Sequence, residues 1–238
     1  MKLLRYLFII GLVMASVFSA DAQRFLGFAG GGMNLSQVDG DEVVGYNKAG
    51  GHLSLGVSLP IRKKWDVTLE TVFSQKGARE KAQYIHTITD STVVPVKTQT
   101  YTGEYTLKLN YVEVPLTAHY TDKEKYTVGM GFSYGRLVNS KEIEHGGNIA
   151  PYSDTVKFRY NDWNVIFDLQ FRIWKQLKGN IRFNYSIFPI RERVYKDVIY
   201  GIRDPYERKQ YNHLFTVRLI YFFNEKYNKN TQPEDLTQ

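Results

Sequence analysis

Three carboxylates and three guanidiniums stand at polar positions of segments that otherwise alternate with large apolar residues: Glu70, Glu113 and Asp168 against Arg172, Arg182 and Arg218. Paired carboxylates can act as general acid and general base, but that chemistry needs two acids held at a set separation in unlike surroundings. Here each acid has an arginine to neutralise it, so the six residues read first as a buried network of ion pairs. His119, in the same polar phase, and His213 could each activate a hydroxyl or ligate a metal. The five histidines nevertheless show no close ligand spacing, and the chain has no cysteine. Gly30-Gly31-Gly32 lacks the Gly-Lys-Ser/Thr ending of a phosphate-binding loop, and Asp39, Asp41 and Glu42 around Gly40 lack the spacing of a calcium-binding EF-hand. No residue is therefore assigned to catalysis, to a cofactor or to a metal.

A second group is basic and lies between the alternating segments. It comprises Arg191, Arg193, Lys196, Arg203, Arg208 and Lys209 in one stretch and Arg79 and Lys81 in another. Such side chains at a membrane surface pair with phosphate, which makes them candidate contacts to outer-membrane lipid such as lipopolysaccharide. The acids Glu192, Asp197, Asp204 and Glu207 are interleaved with them and favour a solvated face. The formal net charge of +7 over 238 residues also raises nucleic acid as a partner. An exported chain without a basic helix or an aromatic RNA-binding motif argues against that class.

The elements that position these groups are strands. Gly51, Leu53, Leu55, Val57 and Leu59 alternate with His52, Ser54, Gly56 and Ser58, and after a short break Trp65, Val67, Leu69, Thr71 and Phe73 alternate with Asp66, Thr68, Glu70 and Ser74. The same period of two runs through Val112–Tyr120, Tyr126–Tyr134, Trp163–Ile173, Ile181–Ile187 and Phe215–Phe223, and the glycine-rich Phe25–Leu35 brings the number of strands to eight. Leu107, Leu109 and Tyr111 fall out of phase with Val112, which predicts a bulge near Tyr111 and Val112, and Pro115 predicts irregular pairing. Small residues in the fifth strand are expected to make room for the long arginines.

Long connections, about Ser36–Ala49, Gly77–Glu104, Ser140–Phe158 and Arg191–Gln210, alternate with turns of about five residues. Long loops on one side and short turns on the other fit a transmembrane barrel with its short turns in the periplasm. Mean hydropathy below zero does not oppose this, because only alternate strand residues face lipid. After the amino-terminal segment no stretch approaches the roughly 18 apolar residues of a membrane helix. Lys2 and Arg5, the apolar Leu7–Phe18 and Ala20-Asp21-Ala22 read as a cleavable export signal over residues 1–22. Residues 23–223 then form the barrel and 224–238 a polar, disordered tail. Trp65, Tyr120, Tyr126, Trp163 and Tyr221 near strand ends suit aromatic girdles.

Gly31–Ser36 (Gly-Gly-Met-Asn-Leu-Ser), Ser74–Gly77 (Ser-Gln-Lys-Gly) and above all Leu107–Leu116 (Leu-Lys-Leu-Asn-Tyr-Val-Glu-Val-Pro-Leu) resemble the PorT-like outer-membrane β-barrel family of Bacteroidota. The resemblance implies an eight-stranded, antiparallel, up-and-down barrel in the outer membrane of a Gram-negative bacterium. The family's namesake is implicated in type IX secretion, so envelope or secretion proteins become candidate partners. The expectation is an all-β, plugged, non-enzymatic barrel with a structural or interaction role. Its rivals are a lipid-modifying barrel enzyme using a loop or lipid-facing serine with a histidine such as His119 or His213, and a soluble lipocalin-like binder with its oily face inside.

Overall fold

The computed structural model describes residues 25–41, 43–90, 97–122, 125–144, 157–195, 206–223 and 225, with only the backbone described for 81–90, 97–103, 144, 195 and 206. The proposed export signal, Glu42, the side chain of Lys81, Lys196, Arg203 and the tail apart from Glu225 lie outside the described residues.

The strands are β1 (Leu26–Asp39), β2 (Lys48–Arg62), β3 (Trp65–Asp90), β4 (Lys97–Asp122), β5 (Tyr126–Glu144), β6 (Asn161–Trp174), β7 (Leu177–Ser186), β8 (Arg191–Tyr195) and β9 (Tyr206–Phe222). Each strand from β1 to β7 pairs antiparallel with the next, β7 pairs with β9, and β9 returns to β1. Eight strands thus close an up-and-down barrel. The ninth, β8, pairs with Tyr206–Gln210 of β9 beyond the rim as a separate hairpin.

Alternation decides which face is which. Leu55, Phe132, Phe167 and Val217 are 65%, 62%, 48% and 54% exposed, whereas Glu70, Arg182 and Arg218 are at most 2% exposed. The oily faces point outward and the charges inward, the reverse of a lipocalin-like binder. Trp65 stacks edge-on against Tyr120 at the short-turn end (5.2 Å), and Tyr134 lies against Trp163 toward the other (4.9 Å), so aromatic pairs border the apolar band.

Three expectations about the strands are corrected. Leu107, Leu109 and Tyr111 are fully buried and share the inward phase of Glu113, Thr117 and His119, so β4 keeps one phase throughout. The extra residue is in the neighbouring strand: Asn110 opposes Asn139 and Tyr111 opposes Leu137, which leaves Val138 over. The oily residues turn inward because the barrel interior is itself apolar at this level, where Val38, Ala78, Leu137 and Ile190 pack with them. The described residues of the stretches Gly77–Glu104 and Arg191–Gln210 are strand, in β3 to Asp90, β4 from Lys97, β8 and β9 from Tyr206, and β5 runs on to Glu144. Beyond the bilayer neither face needs to be oily, so the alternation fades while the ladder continues. Pro115 behaves as expected: the β3–β4 register passes from Leu69–Leu116 to Val72–Glu113, and Pro115 pairs only toward Ser133 of β5.

The seam between β1 and β9 is sterically demanding. A Cβ on Gly32 would lie 2.2 Å from the Val217 carbonyl oxygen, whereas one on Gly31 would meet only the Leu53 side chain at 3.6 Å. Gly32→Val is expected to abolish the fast-migrating, heat-modifiable band of the folded barrel, and Gly31→Val to retain it. Equal behaviour of the two variants on unboiled gels would contradict this seam.

Candidate functional site

The barrel interior holds stacked polar layers, and the middle one is built by four strands. Asp168 on β6 faces Arg182 on β7 in register, while Glu70 comes from β3 and Arg218 from β9. Arg182 donates from Nε and Nη2 to the two oxygens of Asp168, both at 2.7 Å, and from Nη2 to Glu70 Oε1 at 2.6 Å. Arg218 donates from Nη1 to Glu70 Oε2 at 2.6 Å, from Nη2 to Oε1 at 3.2 Å, and from Nε to Asn180 Oδ1 at 2.7 Å. Glu70 is therefore held by two guanidiniums reaching across the lumen. Two acids and two arginines cancel in charge, which is the condition under which such groups tolerate burial. His119 adds contacts to Asp168 Oδ2 (3.2 Å) and Asp66 Oδ2 (3.4 Å), and so faces the interior rather than lipid.

Toward the long-loop end a second layer centres on Lys76. Its Nζ lies 2.5 Å from Glu113 Oε1 and 3.0 Å from Asp162 Oδ2, and 5.0 Å from the centre of the Tyr111 ring. Asp162 also accepts from Ser186 Oγ (2.6 Å) and Asn212 Nδ2 (3.1 Å). Glu113 thus belongs with a lysine and not with the arginines. Lys76 and Asp162 stand just outside the alternating segments, which run to Ser74 in the third strand and start at Trp163 in the sixth. Continuing the inward phase Val72, Ser74 by two residues finds the lysine. The small residues of β5 make room for this strand's neighbours rather than for arginines: a Cβ on Gly129 would lie 2.2 Å from His119 Cδ2, and one on Gly135 would lie 3.3 Å from Glu113 Cγ.

The other expected members are elsewhere. Arg172 sits at the short-turn rim, where it donates to Glu225 Oε1 at 2.7 Å and to the Lys175 carbonyl, and Lys178 Nζ lies 3.2 Å from the same carboxylate. Arg172 is two residues past Gln170 along β6, too near the mouth to reach Glu70. Glu225 shows that the tail begins bound to the barrel. A cavity of about 210 Å³ opens at this mouth, lined by Ser58, Asp66, Arg172 and Glu225, and its inner wall includes Glu70 and Arg218.

At the long-loop end Glu142 binds Arg191 through Nη1 (2.7 Å) and Nη2 (3.0 Å) and Arg193 through Nη1 (3.1 Å), and accepts from the Tyr105 hydroxyl at 2.9 Å. Arg191 and Arg193 are therefore committed inward and are withdrawn as lipid contacts, because a carboxylate on β5 claims both. Arg79, Arg208 and Lys209 are exposed. Of the acidic trio Asp39 and Asp41 are described, and the two have different partners. Asp39 lies 3.0 Å from His213 Nε2, whose Nδ1 bonds the Tyr46 hydroxyl at 2.9 Å, while Asp41 is buried and accepts from the Val43 amide at 3.0 Å. Burial pushes the Asp41 carboxyl up to about 7, against the opposing pull of that amide bond and of Arg191.

The sequence profile of the outer membrane protein beta-barrel domain matches residues 21–192. The chain belongs to this outer-membrane β-barrel family. No curated protein matches it by sequence. Among solved structures it is similar to Ail, the attachment invasion locus protein of Yersinia pestis, at 12% identity over 84% of this chain and 98% of that one, with a TM-score of 0.43. It is also similar to Neisserial surface protein A at 8% identity, over 84% and 97%, with a TM-score of 0.41. OprG from Pseudomonas aeruginosa gives 13%, 84% and 95%, with a TM-score of 0.37. In this outer-membrane barrel the two-residue turns at Lys63–Lys64 and Lys175–Gln176 are periplasmic and the long connections extracellular.

Removing one partner of a buried ion cluster leaves the rest uncompensated. Glu70→Ala is expected to lower unfolding free energy in lipid bilayers by about 3–5 kcal/mol, whereas Asp122→Ala, which breaks the exposed pair with Lys64 (3.4 Å), leaves it nearly unchanged. Urea titration of the two variants checks this, and a neutral Glu70→Ala would contradict the clamp.

Proposed function

We propose that this outer-membrane barrel is a sealed, non-enzymatic protein that works through its extracellular extensions in organising the cell envelope. One observation carries the reading: Glu70, gripped by Arg182 and Arg218, spans the lumen at mid-height with no free charge left over. An eight-stranded barrel is only wide enough for its own side chains, so such a clamp occupies the path an ion would take. The long β3–β4 hairpin, the β8–β9 hairpin and the end of β5 then stand clear of the membrane as the surface a partner meets.

The finer reading is a PorT-like barrel of Bacteroidota associated with protein secretion of the type IX kind. It is supported by the Leu107–Leu116 stretch, whose Tyr111, Glu113 and Pro115 each have a definite structural task in β4. Residues 1–22 as export signal, 23–223 as barrel and 224–238 as periplasmic tail belong to the same proposal. Lipopolysaccharide contact by Arg79, Lys81, Lys196, Arg203, Arg208 and Lys209 is part of it too. A lipid-modifying enzyme would need a nucleophile beside an outward histidine. His213 has Tyr46 and Asp39 as neighbours, and among the described residues no serine hydroxyl bonds it.

Reconstituted into planar bilayers, the protein is expected to give no stable large channel, and affinity purification from native membranes to recover envelope proteins bound through the extracellular loops. A steady, large conductance would overturn the sealed barrel. Changed acyl or phosphate patterns in lipid A from deletion cells would overturn the non-enzymatic role.

A further inference from the structure

We infer that the extracellular ends of β3, β4 and β5 form a site for the phosphate groups of an outer-leaflet glycolipid, made by Arg79, Lys108 and Lys141. The inference rests on the outer-membrane placement and narrows the lipid contact to one face. Lys108 and Lys141 are direct cross-strand partners in the β4–β5 ladder, and both are exposed. Arg79, also exposed, opposes Thr106, the next outward residue of β4 beyond Lys108. Lys48 at the start of β2 lies within electrostatic reach of both Lys108 and Arg79.

Like charges placed directly opposite on one face of a sheet repel and destabilise the pair. The cations that turn into this barrel are neutralised, Lys76 and Arg182 by two carboxylates each and Arg191 and Lys178 by one, whereas Lys108 and Lys141 face each other on the outer surface. Among the described residues no carboxylate comes within ion-pair distance of Arg79, Lys108 or Lys141. Glu104 shares their face of β4 but stands two outward positions beyond Lys108 and makes no ion pair with it. The extra residue Val138 in β5 sits between Lys141 and the girdle residue Tyr134 and sets which residues of this segment oppose β4, so the facing lysines follow from the ladder's own register.

Height selects the ligand. Below Lys108 on the same outward face come Asn110 and then the exposed apolar residues Val112, Val114 and Leu116. Lys108 is two outward positions beyond Val112, about 13 Å along a tilted strand. This is the level at which a lipid's acyl chains give way to its sugars and phosphates. A guanidinium can grip phosphate oxygens in pairs, and two ammoniums supply point charge beside it. A lipid-anchored phosphate is favoured over a free one because the apolar band beneath offers its chains a wall.

The test uses the full-length folded protein in dodecyl-maltoside micelles, with bisphosphorylated lipid A and its dephosphorylated form as probes. The wild type is expected to bind the phosphorylated form about thirtyfold more tightly or better. K108E/K141E is expected to lose that preference. K63E/K125E, with the same change of charge at exposed periplasmic turns, is expected to keep it. Heat-modifiable migration verifies that each variant is folded, and K108Q and K141Q replace the double variant if it is not. In lipid-free micelles K108Q should unfold at the same or a higher temperature than wild type, since it relieves repulsion. Equal binding of the two lipid forms, an unaffected K108E/K141E or K108Q/K141Q, or full competition by millimolar inorganic phosphate would overturn the proposal.

Discussion

Hydrocarbon offers no partner to an amide, so the outline of this protein follows from where its backbone hydrogen bonds can close. Each unpaired backbone group in the bilayer costs several kcal/mol, and a sheet of eight strands has two edges full of them. The β1–β9 ladder, running from Phe28–Phe222 to Asp39–Tyr211, removes both edges at once. Closure fixes everything downstream. It makes one residue of every two face lipid, it forces Gly32 to remain without a side chain, and it encloses a cylinder narrow enough that the inward residues must satisfy one another.

Within that cylinder electrostatics and packing are arranged by depth. A mouth with Arg172 and Lys178 on Glu225 is followed by the Glu70–Arg182–Arg218–Asp168 clamp, then by Lys76 with Glu113 and Asp162, and then by an apolar plug of Val38, Leu107, Leu109, Tyr111 and Ile190. Glu142 with Arg191 and Arg193 closes the extracellular end. The ion pairs lie where the barrel is surrounded by lipid and water is scarce, so each arginine must find its acid at short range. The apolar cluster lies near the extracellular rim, beyond the Lys76 layer.

The outward pattern was legible because lipid imposes it. Leu53, Leu55 and Val57, or Phe215, Val217 and Leu219, can be read in alternation without knowing anything of their neighbours, and the strands they mark are all present. The interior was legible only as a set. Glu70, Asp168, Arg182 and Arg218 are brought together, but no spacing in the sequence tells that Arg172 is a step too close to the mouth or that Glu113 answers to Lys76. Partners in a barrel come from strands far apart in the chain, as Glu70 and Arg218 do. The extracellular strands escaped for a different reason. Once β3 and β4 leave the bilayer, nothing requires one of their faces to be apolar, and the signal that defined them disappears while their hydrogen bonds do not.

The large side chains of these strands touch lipid and the polar ones face the barrel interior. A nitroxide scan along β2 in lipid bilayers tests it most directly. Labels at Leu53, Leu55 and Val57 should collide freely with oxygen dissolved in the hydrocarbon, while labels at His52 and Ser54, which are buried inside, should be shielded from both oxygen and a water-soluble collider. Inverted alternation, or equal access of the water-soluble collider to both sets, would contradict it.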